Sequence, residues 1–346
     1  MNMEHNSLSA ETTTSNMAEP SVAIIGSGYW GKNLVRNFYE LNALKIICDR
    51  DFTTLAKMQT QYPEIETGSD FYKVLARDDI QCVVIATPAE THYPMVKDAL
   101  ESNKHVFVEK PFVLREDEGL KLIEIANSKG LTIMVGHVLQ YHPAFIKLKE
   151  IISAGELGKL NYIYSRRLNL GKIRREENIL WSFAPHDISM ILEMAGELPD
   201  TVLATGGNYL NEKIADVTTT HLEFPSGLKS HIFVSWLHPF KEQKLVVVGD
   251  KKMAVFDDTL PWQEKLLVYP HEINFDGDVP VPNKANPENV PLSEQEPLKT
   301  ECRHFLDCVA TGQTPKTDAY EGLKVLKILN LSQKSMDNNS QKLAIS

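Results

Sequence analysis

The sequence predicts an α/β chain in two parts: a doubly wound parallel sheet, then an α+β domain with an open, mostly antiparallel sheet. Three observations predict it. From Pro20 to about His137, short apolar runs alternate with amphipathic stretches of helical period. A glycine-rich turn, Gly26-Ser27-Gly28-Tyr29-Trp30-Gly31, joins the first run to the first of those stretches. Beyond Gly155, long alternating strands follow one another with no crossover helices between them.

The apolar runs are 22–25, 44–48, 82–86, 105–108 and 132–135. Runs that stay apolar through their length suit parallel strands covered on both faces. The segments 93–102 and 115–128 between them have helical spacing, which predicts a doubly wound sheet. A helix from Pro143 to Gly155 opens the second part. Strands are expected at 160–168, 201–209, 217–224, 228–236, 244–249 and 252–257, with a hairpin turn at Pro225-Ser226-Gly227. The proline-rich stretch 280–297 reads as an extended surface connection, followed by two closing helices. The expected organisation is a polar, disordered extension over 1–19, a doubly wound domain over 20–142, an α+β domain over 143–335 whose last helices pack back on the first domain, and a tail over 336–346.

Composition narrows the function. A net charge of −10 argues against a nucleic-acid backbone as the main partner. No apolar run has the ~18 residues a membrane span requires. The extension lacks the apolar core of a secretory signal, and Cys48, Cys82, Cys302 and Cys308 have no zinc-site spacing. Reduced thiols, a cytoplasmic location and no bound metal are expected.

The glycine turn draws its weight from context, since it follows a strand and opens a helix. In such a turn Gly26 permits the bend, Gly28 lets the backbone approach a diphosphate, and Gly31 allows helix and strand to pack closely. The diphosphate then meets free N–H groups at the helix start. This is the fingerprint of a Rossmann domain. Asp49 ends the next strand, where a carboxylate accepts from ribose hydroxyls and favours NAD; Arg50 beside it leaves NADP open. Ala86-Thr87-Pro88 and Glu109-Lys110-Pro111 end later strands at the same edge of the sheet.

Together with a later His186-Asp187-Ile188, these motifs resemble the glucose-fructose oxidoreductase / inositol dehydrogenase (Gfo/Idh/MocA) family, from about Val22 to Ser335. The resemblance implies hydride transfer at a carbinol carbon of a sugar or cyclitol, in a homodimer or homotetramer. It assigns Gly26, Gly28, Tyr29, Trp30, Gly31, Asp49, Arg50, Thr87, Pro88, His92, Glu109 and Lys110 to the cofactor, and Lys110 and His186 to catalysis. A histidine suits the base that takes a hydroxyl proton, and a lysine stabilises developing alkoxide; the two roles are open to exchange. Many relatives carry an aspartate four residues before this histidine, where this chain has Ser182.

The stretch 164–175 is the one dense basic patch of an acidic chain. By spacing alone it is equally a charged surface loop or a phosphate grip. The region through Ile188 resembles the branch of the family that oxidises UDP-linked N-acetylglucosamine at C3, which implies a 3-keto product passed to an aminotransferase for surface-polysaccharide or lipid A synthesis. On that likeness Lys110, Tyr141, Arg166, Arg167, Asn169, Arg174, Arg175, Trp181 and His186 are expected to meet the substrate. A 6-carboxylated UDP-sugar, a free sugar or cyclitol, and a non-catalytic dinucleotide-binding regulator are the alternatives.

Overall fold

The computed structural model describes residues 19–171, 173–175 and 177–345; the expected N-terminal extension, but for Glu19, lies outside them, as do Lys172 and Glu176. The first part runs β1 (Val22–Ile25), α1 (Gly31–Glu40), β2 (Leu44–Cys48), α2 (Phe52–Gln61), β3 (Glu66–Gly68), α3 (Phe71–Leu75), β4 (Cys82–Ile85), α4 (His92–Glu101), β5 (His105–Glu109), α5 (Glu116–Lys129) and β6 (Ile133–Gly136). All six strands are parallel in the order β3-β2-β1-β4-β5-β6. β1, β4 and β6 are buried along their whole length, which is why they read as unbroken apolar runs. β3 escaped that reading because it is a short, polar edge strand.

The second part runs α6 (Pro143–Ser153), β7 (Leu160–Leu168), α7 (Ile179–Ala195), β8 (Thr201–Gly207), β9 (Val217–Glu223), β10 (Lys229–Ser235), β11 (Glu242–Gly249), β12 (Met253–Asp257), β13 (Leu266–Tyr269), β14 (Glu272–Asp276), β15 (Val279–Asn283), β16 (Glu288–Asn289), α8 (Pro297–Thr311), α9 (Ala319–Asp337) and β17 (Leu343–Ala344). Nine strands form one sheet in the order β16-β13-β12-β11-β7-β10-β9-β8-β17, antiparallel except where β7 meets β10. Its inner face buries Ile163, Ile232 and Leu245 against Ile188 and Ile191 of α7 and Leu148 of α6. Three expectations need correcting. The helix α7 crosses over between β7 and β8, where strands were expected to follow one another without crossover helices. Residues 279–283 belong to a fully exposed hairpin with β14, and 343–344 pair with β8 instead of trailing as a tail. No helix among the described residues is long and apolar enough to cross a membrane.

The two closing helices return to the first part. Leu298, Cys302, Phe305 and Leu306 of α8 are buried with Val22, Ile24 and Phe107 of the first sheet. Phe38, Phe107 and Phe305 pack edge to face with centroids 5.7–6.4 Å apart, and burying each such ring is worth about 1.5–3 kcal/mol. α9 serves both cores: Leu326 packs with the first and Val325, Ile328 and Leu329 with the second.

One residue sits uneasily in this packing. Glu301 of α8 is 0% exposed, and neither carboxyl oxygen has a partner among the described residues. Burial above all, then Glu109 and Glu321, holds it well above the usual carboxyl range. In the unfolded chain it ionises above about pH 4.3, so folding must take up a proton there. Its contribution to stability is therefore whole below that pH and is lost as pH rises toward the folded value. Glu301→Gln escapes this, and its stability advantage over the parent should grow from about pH 5 to about pH 8, by at most ~1.4 kcal/mol per unit. Urea unfolding at both pH values checks it; an advantage that does not change with pH counts against it.

Candidate active site

The order of the first sheet reverses between β1 and β4, and the crevice beyond their carboxyl ends is where such sheets take ligands. The glycine turn lies there. Gly26 has φ +89°, and a Cβ on Gly31 would stand 2.1 Å from the Gly26 carbonyl oxygen, so neither position accepts a side chain. A Cβ on Gly28 would meet nothing within 4 Å. That open side, and an α1 N-terminus that no side chain caps, fit a dinucleotide diphosphate.

Asp49 follows β2, but its carboxylate also braces the loop. Oδ2 accepts from Ser27 N at 2.7 Å and Ser27 Oγ at 3.1 Å, and Oδ1 accepts from Asp51 N at 3.0 Å. Arg50 beside it is exposed. Tyr29, Trp30, Thr87 and Pro88 line the cleft. Trp30 Nε1 donates to Glu109 Oε1 at 2.5 Å, tying the glycine loop to the end of β5. Burial raises Glu109 to about 7, opposed by that hydrogen bond and by Lys110. His92 does not reach the crevice. Its buried ring lies 2.8 Å from the Pro111 carbonyl and 3.0 Å from that of Thr87, so it ties together two loops of the cleft wall.

Lys110 and His186 line the same cleft. Lys110 Nζ donates to the Ser182 carbonyl at 2.8 Å, in the turn of α7 that Pro185 interrupts. Where relatives place a carboxylate, Ser182 thus contributes a backbone acceptor. Burial lowers Lys110, with Glu177 and Glu109 opposing. Burial, then Lys110, Arg167 and His137, hold His186 well below its ordinary value. The imidazole is therefore neutral near pH 7, a proton acceptor beside an amine.

The basic stretch divides by strand alternation. Arg167 lies on the helix-covered face of β7, 8% exposed, with Nε 3.0 Å from Asp187 Oδ2 and Nη2 3.2 Å from Oδ1; Ser165 Oγ closes the group at 2.5 Å. It lines the cleft. Arg166 points to the opposite face, where it pairs with Glu242 at 3.3 Å and lies over the Tyr164 ring. It cannot meet the same ligand. Asn169 is off the cleft wall as well, and Tyr141 is a core residue whose hydroxyl is 3.1 Å from Thr317 Oγ1. Arg174, paired with Glu177 at 3.1 Å, Arg175 and Trp181 do line the cleft. Lys213, Asn211 and Gln243 complete the wall, and no motif marked them in the sequence. The cleft encloses about 1120 Å³, above the ~300–1,000 Å³ of a single small-ligand pocket. It has room for a nicotinamide end and a second molecule.

Residues 21–137 match the GFO/IDH/MocA oxidoreductase family with its NAD-binding Rossmann fold, and residues 145–255 match that family's C-terminal domain. The chain belongs to this family. As a Gfo/Idh/MocA protein it is an NAD(P)-dependent oxidoreductase. It is 28% identical over 309 residues to the scyllo-inositol 2-dehydrogenase (NAD+) of Bacillus subtilis, covering 85% of this chain and 87% of that one. It is 24% identical over 326 residues to the UDP-N-acetylglucosamine 3-dehydrogenase of Acidithiobacillus ferrooxidans, covering 90% and 95%. A solved structure of the latter superposes with a TM-score of 0.83 over 94% of this chain and 100% of that one at 22% identity, a likeness of fold.

Two glycines of this Gfo/Idh/MocA domain differ in the space around them, which sets up a test of cofactor binding against folding. Gly28→Ala should leave the melting temperature unchanged but weaken NAD binding by about tenfold or more, the loss of one charge-assisted hydrogen bond. Gly31→Ala should destabilise the fold itself. Calorimetric titration with NAD and thermal melts of both variants check this, and undiminished NAD affinity in Gly28→Ala would move the diphosphate off the loop.

Proposed function

We propose that this protein oxidises the C3 hydroxyl of UDP-N-acetylglucosamine to the 3-keto sugar nucleotide, with NAD as acceptor. What carries the reading is one juxtaposition: Lys110 and His186 share their cleft with Arg167, Arg174 and Arg175 and with the glycine-loop wall of Tyr29 and Trp30. The 24% identical relative that performs this reaction supports it. The glycine loop and Asp49 would hold NAD, which would supply the hydride acceptor. The chain's own residues do the rest. His186, neutral before reaction, takes the hydroxyl proton, and Lys110 stabilises the oxygen as its charge develops. Arg174 and Arg175 hold the diphosphate, whose oxygens suit the guanidinium fork, while Arg167 keeps its own fork on Asp187. The ketone fits a following amination, in the cytoplasm.

The 28% identical scyllo-inositol 2-dehydrogenase favours a second reading, oxidation of a free cyclitol. The two differ in their need for a diphosphate. The parent should turn over UDP-N-acetylglucosamine far better than N-acetylglucosamine, and UDP alone should compete. Arg174→Ala or Arg175→Ala should raise KM by about tenfold, from the loss of ~1.5–3 kcal/mol, while Arg166→Ala changes little. Lys110→Ala and His186→Ala should each lower kcat by roughly 10² or more. Turnover of scyllo-inositol with no inhibition by UDP would promote the second reading.

A further inference from the structure

Behind the cleft wall lies a polar cluster that the reaction above does not use. Gly136 and Val138 face the cleft. Between them the His137 side chain turns inward and is 2% exposed. Its Nε2 lies 3.4 Å from Glu321 Oε2 on α9, within reach but not aligned as a hydrogen bond. The other oxygen of Glu321 accepts from Ser189 Oγ of α7 at 2.5 Å and from Gln140 Nε2 at 3.1 Å, and Gln140 Nε2 also donates to Ser189 Oγ at 2.8 Å. The N-cap of α9 sets the position of this carboxyl, with Glu321 N donating to Asp318 Oδ1 at 2.8 Å. His137 also feels the charge of Lys110, and His186 feels that of His137.

Four buried atoms of these three residues have no hydrogen-bond partner among the described residues: both ring nitrogens of His137, Nδ1 of His186 and Oε2 of Glu321. Buried polar atoms are nearly always paired, and a group of exceptions beside a reacting centre calls for a chemical reason. The reaction supplies one. Oxidising a carbinol breaks its C–H and O–H bonds; the hydride leaves with its electron pair to the cofactor, and the proton must pass to the protein.

We propose that His137 and Glu321 form a proton relay behind the reacting pair, taking the proton from His186 and holding it on the Glu321 carboxyl. This rests on the reading of Lys110 and His186 as the reacting groups. One ring nitrogen of His137 accepts the proton while the other releases one to Glu321. The imidazole ends neutral with its tautomer reversed, and the carboxylate ends as a neutral acid. His137 and Glu321 act through His186 and are positioning residues.

The surroundings suit the direction of transfer. Burial, then Lys110, hold His137 down to about 3, so it passes a proton on without keeping it. Burial raises Glu321 to about 8, with Ser189 and Gln140 opposing and Glu193 and Asp318 adding to the rise; Glu301 of α8 also faces it. A carboxyl of that strength accepts only when ionised. Oxidation should therefore gain as pH rises through about 8, and the reverse reduction should gain below it.

The test measures kcat and KM from about pH 6 to 10 in the parent, Glu321→Gln and Glu321→Asp, with UDP-N-acetylglucosamine and scyllo-inositol each offered as substrate. Glu321→Gln keeps the volume and can still accept from Ser189. It should lower kcat by about tenfold with KM changed less than about twofold, abolish the rise near pH 8 and enlarge the solvent isotope effect on kcat; Glu321→Asp should restore part of the rise. A parent-like pH profile in Glu321→Gln overturns the relay. If the parent oxidises neither substrate, the substrate reading fails and infrared difference spectra of the NAD-bound protein decide the relay alone. A protonated-carboxyl band that titrates near pH 8 in the parent and vanishes in Glu321→Gln supports it, and its absence from the parent overturns it.

Discussion

The fork between Arg167 and Asp187 is the contact on which the cleft depends. Removing both charges from water is costly, and the pair is kept only because two aligned N–H bonds and the Ser165 hydroxyl meet the carboxylate. The fork clamps α7 against β7 at one register. Asp187 then faces the sheet, and His186, the preceding residue, is rotated toward the cleft. Lys110 grips the same helix from the first domain through the Ser182 carbonyl. A single helix is thus held by both domains, and the reacting pair is placed by that double attachment.

Much of the molecule was legible because its signals are local. Buried parallel strands show as apolar runs, and the glycine turn shows as a motif with its neighbours. The failures share a different cause, which is direction. Arg166 and Arg167 are adjacent and chemically equal, and only the period of two in β7, together with knowledge of which face α7 covers, separates a cleft arginine from an outward one. His92 and Tyr141 have side chains suited to ligand contact, but both satisfy their polar atoms within the protein. Lys213 gave no warning, since a lone lysine in a loop means nothing until the loop is placed. The strand β3 and the hairpin of β14 and β15 lack apolar contrast and so lack a signal.

Net charge was a poor guide to the site. The chain is acidic overall, yet the cleft collects Lys110, Arg167, Arg174, Arg175 and Lys213 against Glu90, Glu109 and Glu177. Behind it the interior holds Glu301 and Glu321, and all three of Glu109, Glu301 and Glu321 are shifted upward chiefly by burial. Cations at the wall with buried carboxyls behind it make a medium in which small movements of protons carry large energies.

The return of α8 to the first sheet bears on how the chain is made. Phe38 and Phe107 emerge from the ribosome well before Phe305, which packs against both and follows all but the last strand of the second sheet in the chain. The dinucleotide-binding sheet therefore waits through synthesis of nearly the whole second domain with one flank uncovered. During that interval its apolar side is open to chaperones or to a neighbouring nascent chain. The domain that begins first is therefore finished only after nearly all of the second has been made.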